Sequence, residues 1–193
     1  MPGLPVLRNY YDAPRILDFD IENRPLSYWQ PDRPTAEITA IAAAWVDHPR
    51  EVMVWLLGRD DPVVMLQSFL SLYNEADMVT GHYIRKHDLP IINGALMDYN
   101  MCLLGPKLVQ DTKVDMVKKA DIPATQEHLS EMLGLGSLKV HMTQQMWREA
   151  NRLTSRGLDL TEDRVVGDVV QHMELRLAML DAGMLHPPRM WTP

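Results

Sequence analysis

The chain has 193 residues, 46% hydrophobic and 23% charged, which suits one ordinary domain with a full core and excludes wholesale disorder. A formal net charge of −7 excludes a protein that holds nucleic acid by bulk positive charge. Cys102 is the one cysteine, so no internal disulfide can form. No apolar run reaches the ~18 residues of a bilayer span, and MPGLPVLRNYYDAP lacks the order of a secretory leader. A cytoplasmic location is therefore expected. The charge is uneven: residues 107–156 carry eight Lys/Arg against six Asp/Glu, which leaves the acid excess to the remainder. This fits either cations and phosphates gathered at different places or ordinary solvated helix faces.

In chain order, RILDFDI (15–21) alternates as a strand does. ENRPLSYWQPDRP (22–34) reads as an irregular loop. EITAIAAAWV (37–46) and EVMVWLL (51–57), separated by DHPR, predict a hairpin of sheet strands. Helical spacing follows over 63–76, with Asp61 as N-cap and Pro62 in the first turn. DMVTGHY (77–83) is β-like, and DLPIINGALMDYNM (88–101) is helical. LVQDT (108–112) is a further strand, after which Asp111 caps a helix in KVDMVKKA. Helical segments are expected at 124–135 and 143–153, and a final helix from about Leu160 to Met184 capped by Thr161. The tail HPPRMWTP (186–193) reads as an extended surface arm. The pattern is one α/β or α+β domain around a mixed central sheet, spanning 14–185, with an N-terminal arm over 1–13.

Three places concentrate acids. On the first strand, Leu17, Phe19 and Ile21 point one way, and Asp18, Asp20 and Glu22 the other. That acidic face either meets water or holds a hard divalent cation, which needs several carboxylate oxygens. Asp88, between a short strand and a helix, is by itself an ordinary N-cap. From EDRVVGDVVQH (162–172) onward, Val166, Val169, Val170, Met173, Leu177 and Leu180 form one apolar stripe of a helix. Arg164, Asp168, His172, Leu175 and Met179 lie on the nearly opposite side. A lone Asp168 there pairs with Arg164 at i−4 or binds metal.

These pieces together resemble a family. FDIENRP is similar to the first motif of the DEDD superfamily of 3′–5′ exonucleases, the DnaQ-like and family-B polymerase proofreading type. TGHYIRKHDLP resembles its second motif and RVVGDVVQHMELRL its third. QDTKVDMVKK and HLSEMLGLG resemble the segments between them, so the resemblance covers about residues 14–184. It implies an RNase H-like fold, a single domain with helices flanking a mixed sheet. Asp20, Glu22, Asp88 and Asp168 would hold two Mg²⁺ or Mn²⁺ ions ~3.5–4 Å apart over the scissile phosphate. Bound cations invert the local charge, which lets an acidic protein approach a polyanion. Asn23, Tyr28 and Trp29 lie where relatives grip the terminal nucleotide. Stacking there is worth about 1–3 kcal/mol per base, and packing of the loop on the body is the alternative for Tyr28 and Trp29.

The chain departs from the pattern in three ways. Arg164 and Asp163 stand where relatives carry a water-orienting Tyr or His before the last Asp, and Arg stays protonated. Tyr83 replaces an Asn, and His87 a Phe. Asp18 adds an acid to the active face. Water would then be oriented by His172, one turn after Asp168, or by His82, His87 or Tyr83, or not at all. The expected activity is that of a stand-alone metal-dependent 3′–5′ exonuclease on DNA, with single-stranded or frayed ends as substrate and Tyr83 among the substrate-binding residues. RNA exonuclease, RNase H-like endonuclease and catalytically weakened binding module are the alternatives. Proofreading would need a separate polymerase or replication protein as partner, and no membrane partner is expected.

Overall fold

A computed structural model of the chain describes residues 13–25, 36–117, 122–136 and 140–193. Among these, six strands form one sheet: β1 (Ile16–Pro25), β2 (Ala36–Trp45), β3 (Met53–Leu56), β4 (Met78–Gly81), β5 (Lys107–Asp111) and β6 (Arg189–Trp191). Their spatial order is β3-β2-β1-β4-β5-β6. The β1–β4 and β4–β5 pairs are parallel, and the other neighbours antiparallel. Parallel neighbours need crossovers. These run through α1 (Pro62–Glu75) between β3 and β4 and through α2 (Asp88–Asp98) between β4 and β5. Asp61 caps α1 as its sequence suggests, accepting from the Val63 and Val64 N–H groups.

The alternation in RILDFDI divides the sheet into two faces. Leu17, Phe19 and Ile21 join Phe69 and Tyr73 of α1 and Leu89 and Ile92 of α2 in the main core. The Phe19 and Phe69 rings meet there, tilted, at 4.9 Å. The other face of β1 carries Asp18, Asp20 and Glu22, which pair across the ladder with Ala44, Ala42 and Ala40 of β2. Those alanines are small, so a helix can lie close over them. The helix that does so is α5 (Ser155–Asp181), packing Val165, Val169 and Met173 on the alanines and Leu56. Against α5 lie α3 (Gln126–Met132) and α4 (Gln144–Asn151), with Leu129 of α3 touching the Leu175 and Met179 region.

Four local expectations change. The last helix begins at Ser155, capped by Thr154, whose Oγ1 accepts from the Gly157 N–H. Thr161 lies inside it and donates back to the Gly157 carbonyl. Gly157 admits the early start: a Cβ there would come within 2.2 Å of the Glu149 carbonyl oxygen, so only a glycine lets α5 meet α4. The apolar stripe fades toward the C-terminus, where Leu177 and Leu180 are exposed. Residues 112–117 are turn and bridge rather than helix, although the Asp111 carboxylate accepts from the Lys113 and Val114 N–H groups as a cap does, and also from Tyr83 and Arg85 of the β4–α2 loop. The tail supplies β6, an edge strand on β5 whose Trp191 packs on the core. No helix among the described residues is long and apolar enough to cross a membrane.

Candidate metal centre

Residues from β1, the β4–α2 connection and α5 line one open cleft, among them Asp20, Glu22, His82, Tyr83, His87, Asp88, Lys113, Arg164 and Asp168. Just past Glu22 the β1–β2 register skips Thr39, a bulge that bends the strand beside the site. Because α5 sits on alanines, Asp168 reaches the β1 acids. One oxygen each of Asp20, Glu22 and Asp168 lies within 4.8 Å of the others. Hard carboxylate donors at that spacing, on a strand and a helix that are both packed, are a donor set that fits Mg²⁺ or Mn²⁺.

Asp88 is next to this trio and not within it. Its Oδ1 accepts from the Ile21 N–H at 3.2 Å, so the first residue of α2 is tied to β1 between the two motif acids. Burial pushes the Asp88 carboxyl above the usual carboxylate range, opposed by its contact with His87. His87, whose Nδ1 lies 3.2 Å from Asp88 Oδ2, is raised in turn by that hydrogen bond. Gly81 permits this approach of loop to strand. A Cβ on it would stand 2.4 Å from Ile84 Cγ2 and 2.8 Å from the Phe19 carbonyl oxygen. Tyr83, at φ 71°, turns the chain after Gly81, and its ring lies 4.1 Å from the Lys113 ammonium at the cleft wall.

The structure answers one sequence expectation differently. His172 is buried, with Nδ1 at 2.6 Å from Asp18 Oδ2 and Nε2 at 3.0 Å from Thr112 Oγ1. It points along the sheet into the protein, and both ring nitrogens are used, so orienting a metal-bound water is not its part. The reason is register: Asp18 lies two residues before Asp20 on the same face, and α5 carries His172 one turn beyond Asp168 to meet it.

The chain of contacts continues outward from Thr112 Oγ1 to His82 Nδ1 at 2.9 Å, and from His82 Nε2 to the Ala124 carbonyl at 3.1 Å. A carbonyl only accepts, so His82 carries its proton on Nε2. A neutral His82 then accepts from the Thr112 hydroxyl, which accepts from His172 Nε2–H. One proton remains to be shared between His172 Nδ1 and Asp18. Burial raises the Asp18 carboxyl, and the charge and hydrogen bond of His172 act against it. His82 is thereby occupied too, which leaves His87 and Tyr83 as the polar groups of the second motif facing the cleft.

Arg164 stands one turn before Asp168 on α5. Its Nε donates to Glu22 Oε1, and an Nη stands 3.6 Å from Asp168 Oδ2. The ion pair anticipated between Asp168 and Arg164 therefore occurs, and it lies within the acid cluster. Asn23 follows the bulge and is not among the residues lining the cleft, and Tyr28 and Trp29 lie outside the described residues. Sequence reasoning missed Asp115, which accepts from the Asp111 N–H and the Arg85 guanidinium. It also missed Gln126, whose amide donates to the Asp168 carbonyl at 2.9 Å. An acid four residues after a strand-end acid was the only available signal for the first. The second had none.

No family model matches the chain, and no curated protein matches it in sequence. In fold it is similar to the family B DNA polymerase of the hyperthermophilic archaeon Pyrobaculum calidifontis, with a TM-score of 0.67 and 19% identity. The match covers 90% of this chain and 25% of that one, so the chain spans about a quarter of the polymerase's length. At this identity the likeness is one of fold. It bears out the expected class, an α/β, RNase H-like domain built on a mixed sheet flanked by helices.

Proposed function

We propose that this chain is a metal-dependent 3′–5′ exonuclease that hydrolyses phosphodiester bonds of DNA at single-stranded or frayed ends. The observation that carries the reading is the trio Asp20, Glu22 and Asp168, gathered within 4.8 Å from β1 and α5 at an open cleft. A fold shared with part of a family B DNA polymerase supports it. Asp20, Glu22 and Asp168 would hold the metal, with Asp88 beside them. Bound Mg²⁺ or Mn²⁺ would supply an activated water and charge stabilisation for the departing 3′ oxygen. The protein's own part is positional: the Asp88–Ile21 bond fixes α2 against β1, and Lys113 and Tyr83 offer a cation and a ring to the substrate strand. His87 is placed to share a proton at the cleft wall through its exposed side.

One observation favours a second reading. Arg164 bridges Glu22 and Asp168 and so competes with metal for their carboxylate oxygens, which supports a weakened nuclease fold that binds nucleic acid. The test uses 3′- and 5′-labelled DNA and RNA oligonucleotides with Mn²⁺, with Asp20→Ala as control. Shortening from the 3′ end of DNA that the control abolishes supports the proposal. Internal cuts would replace it with an endonuclease, preference for RNA would change the substrate, and binding without Asp20-dependent cleavage would leave the binding module.

A further inference from the structure

Arg164 is held from four sides. Its Nε donates to Glu22 and an Nη lies 3.6 Å from Asp168 Oδ2. Its Nη1 donates to the Val140 carbonyl at 3.2 Å, and its Cζ lies 5.0 Å from the centre of the Trp147 ring. Burial opposes its charge, and the charges of Glu22 and Asp168 outweigh burial and hold its pKa above the ordinary arginine value. A guanidinium cannot give up its proton in a protein, so this positive charge is permanent. It is placed on Glu22 and Asp168, two of the three carboxylates of the cluster. Two divalent ions and a guanidinium cannot share those oxygens without like charges meeting at close range, where their repulsion opposes binding of the second ion.

We propose that Arg164 is the second cation of this site: the guanidinium takes the place of one divalent ion, so that the chain binds a single Mg²⁺ or Mn²⁺ tightly. The inference rests on the metal reading of the cleft. Asp20, the third carboxylate of the cluster, would then hold the remaining ion, and Arg164 keeps Glu22 and Asp168 in register. The hollow beyond it, walled by Val140, His141, Met142 and Trp147, continues the cleft on the side where Arg164 faces the Trp147 ring.

The experiment counts ions. Mn²⁺ is titrated into the 193-residue chain, with free ion read by electron paramagnetic resonance and heat by calorimetry, for the wild type, Asp20→Ala, Arg164→Gln and Arg164→Lys. The expected wild-type count is one tight ion. Arg164→Gln should take up a second, or bind the first roughly tenfold or more tightly. Arg164→Lys keeps the charge and should stay at one. Two tight ions in the wild type would overturn the inference and leave the metal reading standing. No tight ion, or no loss on Asp20→Ala, would remove the metal reading and the inference together. Arg164→Gln that matches the wild type in count and affinity would overturn the inference alone. If that variant does not fold, judged by circular dichroism, the wild-type count still decides.

Discussion

Replacing His172 with Leu tests the buried end of the site in a way that separates structure from catalysis. Asp18 is fully buried, its Oδ2 bonded to His172 at 2.6 Å and its Oδ1 without a hydrogen-bond partner. With His172 gone, the nearest cation is Arg176, which is already bonded to Gln110 at 2.8 Å. Removing one member of a buried pair costs about 3–5 kcal/mol, because the other is left uncompensated. Loss of the Thr112 contact adds about 1 kcal/mol. A domain of this size has roughly 5–15 kcal/mol in all, so the variant should be conspicuously weak. The double variant Asp18→Ala with His172→Leu removes the stranded carboxyl and should recover about 2 kcal/mol or more relative to the single change. Urea unfolding of the metal-free protein, with unchanged slope, measures both. The pH dependence has a definite sign. Burial holds the folded Asp18 pKa above its unfolded value, so the folded state keeps this proton to higher pH than the unfolded chain does. Stability from this group is greatest below the unfolded pKa and falls as pH rises through the folded one. Without His172, which lowers the pKa, that window extends upward. The deficit of His172→Leu should therefore be smallest at acid pH, where Asp18 is protonated in both states, and should grow as pH rises. A single variant within about 1 kcal/mol of wild type, or one more stable than the double, would refute the reasoning.

Asp20→Asn and Asp168→Asn should each abolish stabilisation by Mn²⁺, which in the wild type reaches about 2.7 kcal/mol at a hundredfold excess over Kd, or ~5–10 °C in Tm; variants that keep the wild-type shift would count against the cluster as the metal centre. Gly157→Ala should cost more than about 3 kcal/mol in urea unfolding, since its Cβ would lie 2.2 Å from backbone rather than from a side chain that can swing away. Phe69→Ala, beneath the fully buried Phe19 contact, should lose about 3–5 kcal/mol while leaving Mn²⁺ stoichiometry unchanged. Lys113→Ala should raise KM for single-stranded DNA and reduce the salt dependence of binding by about 0.7 in log–log slope, the signature of one lost phosphate contact; an unchanged slope would place Lys113 off the substrate path.

The sheet was legible where the pattern is local. RILDFDI has one apolar and one acidic face because strand periodicity is two, and the hairpin and both crossover helices follow from turn residues, caps and apolar spacing. The acids of β1 and Asp168 were legible as polar residues on faces that otherwise pack. What failed was local signal overruled by distant partners. Thr161 looks like a cap, yet Thr154 and a glycine that only α4 requires begin the helix earlier. HPPRMWTP looks like a free arm, yet the open edge of β5 pairs with it.

The site divides the same way. The amino-acid order by itself determined which carboxylates share a face, because that depends only on the two and 3.6 residue periods of strand and helix. It also determined that a guanidinium stands one turn before Asp168. Which residue meets which was decided by the tertiary structure. The alanines of β2 let α5 lie close enough to bring Arg164 onto Glu22 and His172 onto Asp18. A histidine one turn from a motif acid reads the same in sequence whether it faces metal or core. The register between α5 and β1 turns it inward, because that register places a buried carboxylate where only a partner's proton can compensate it.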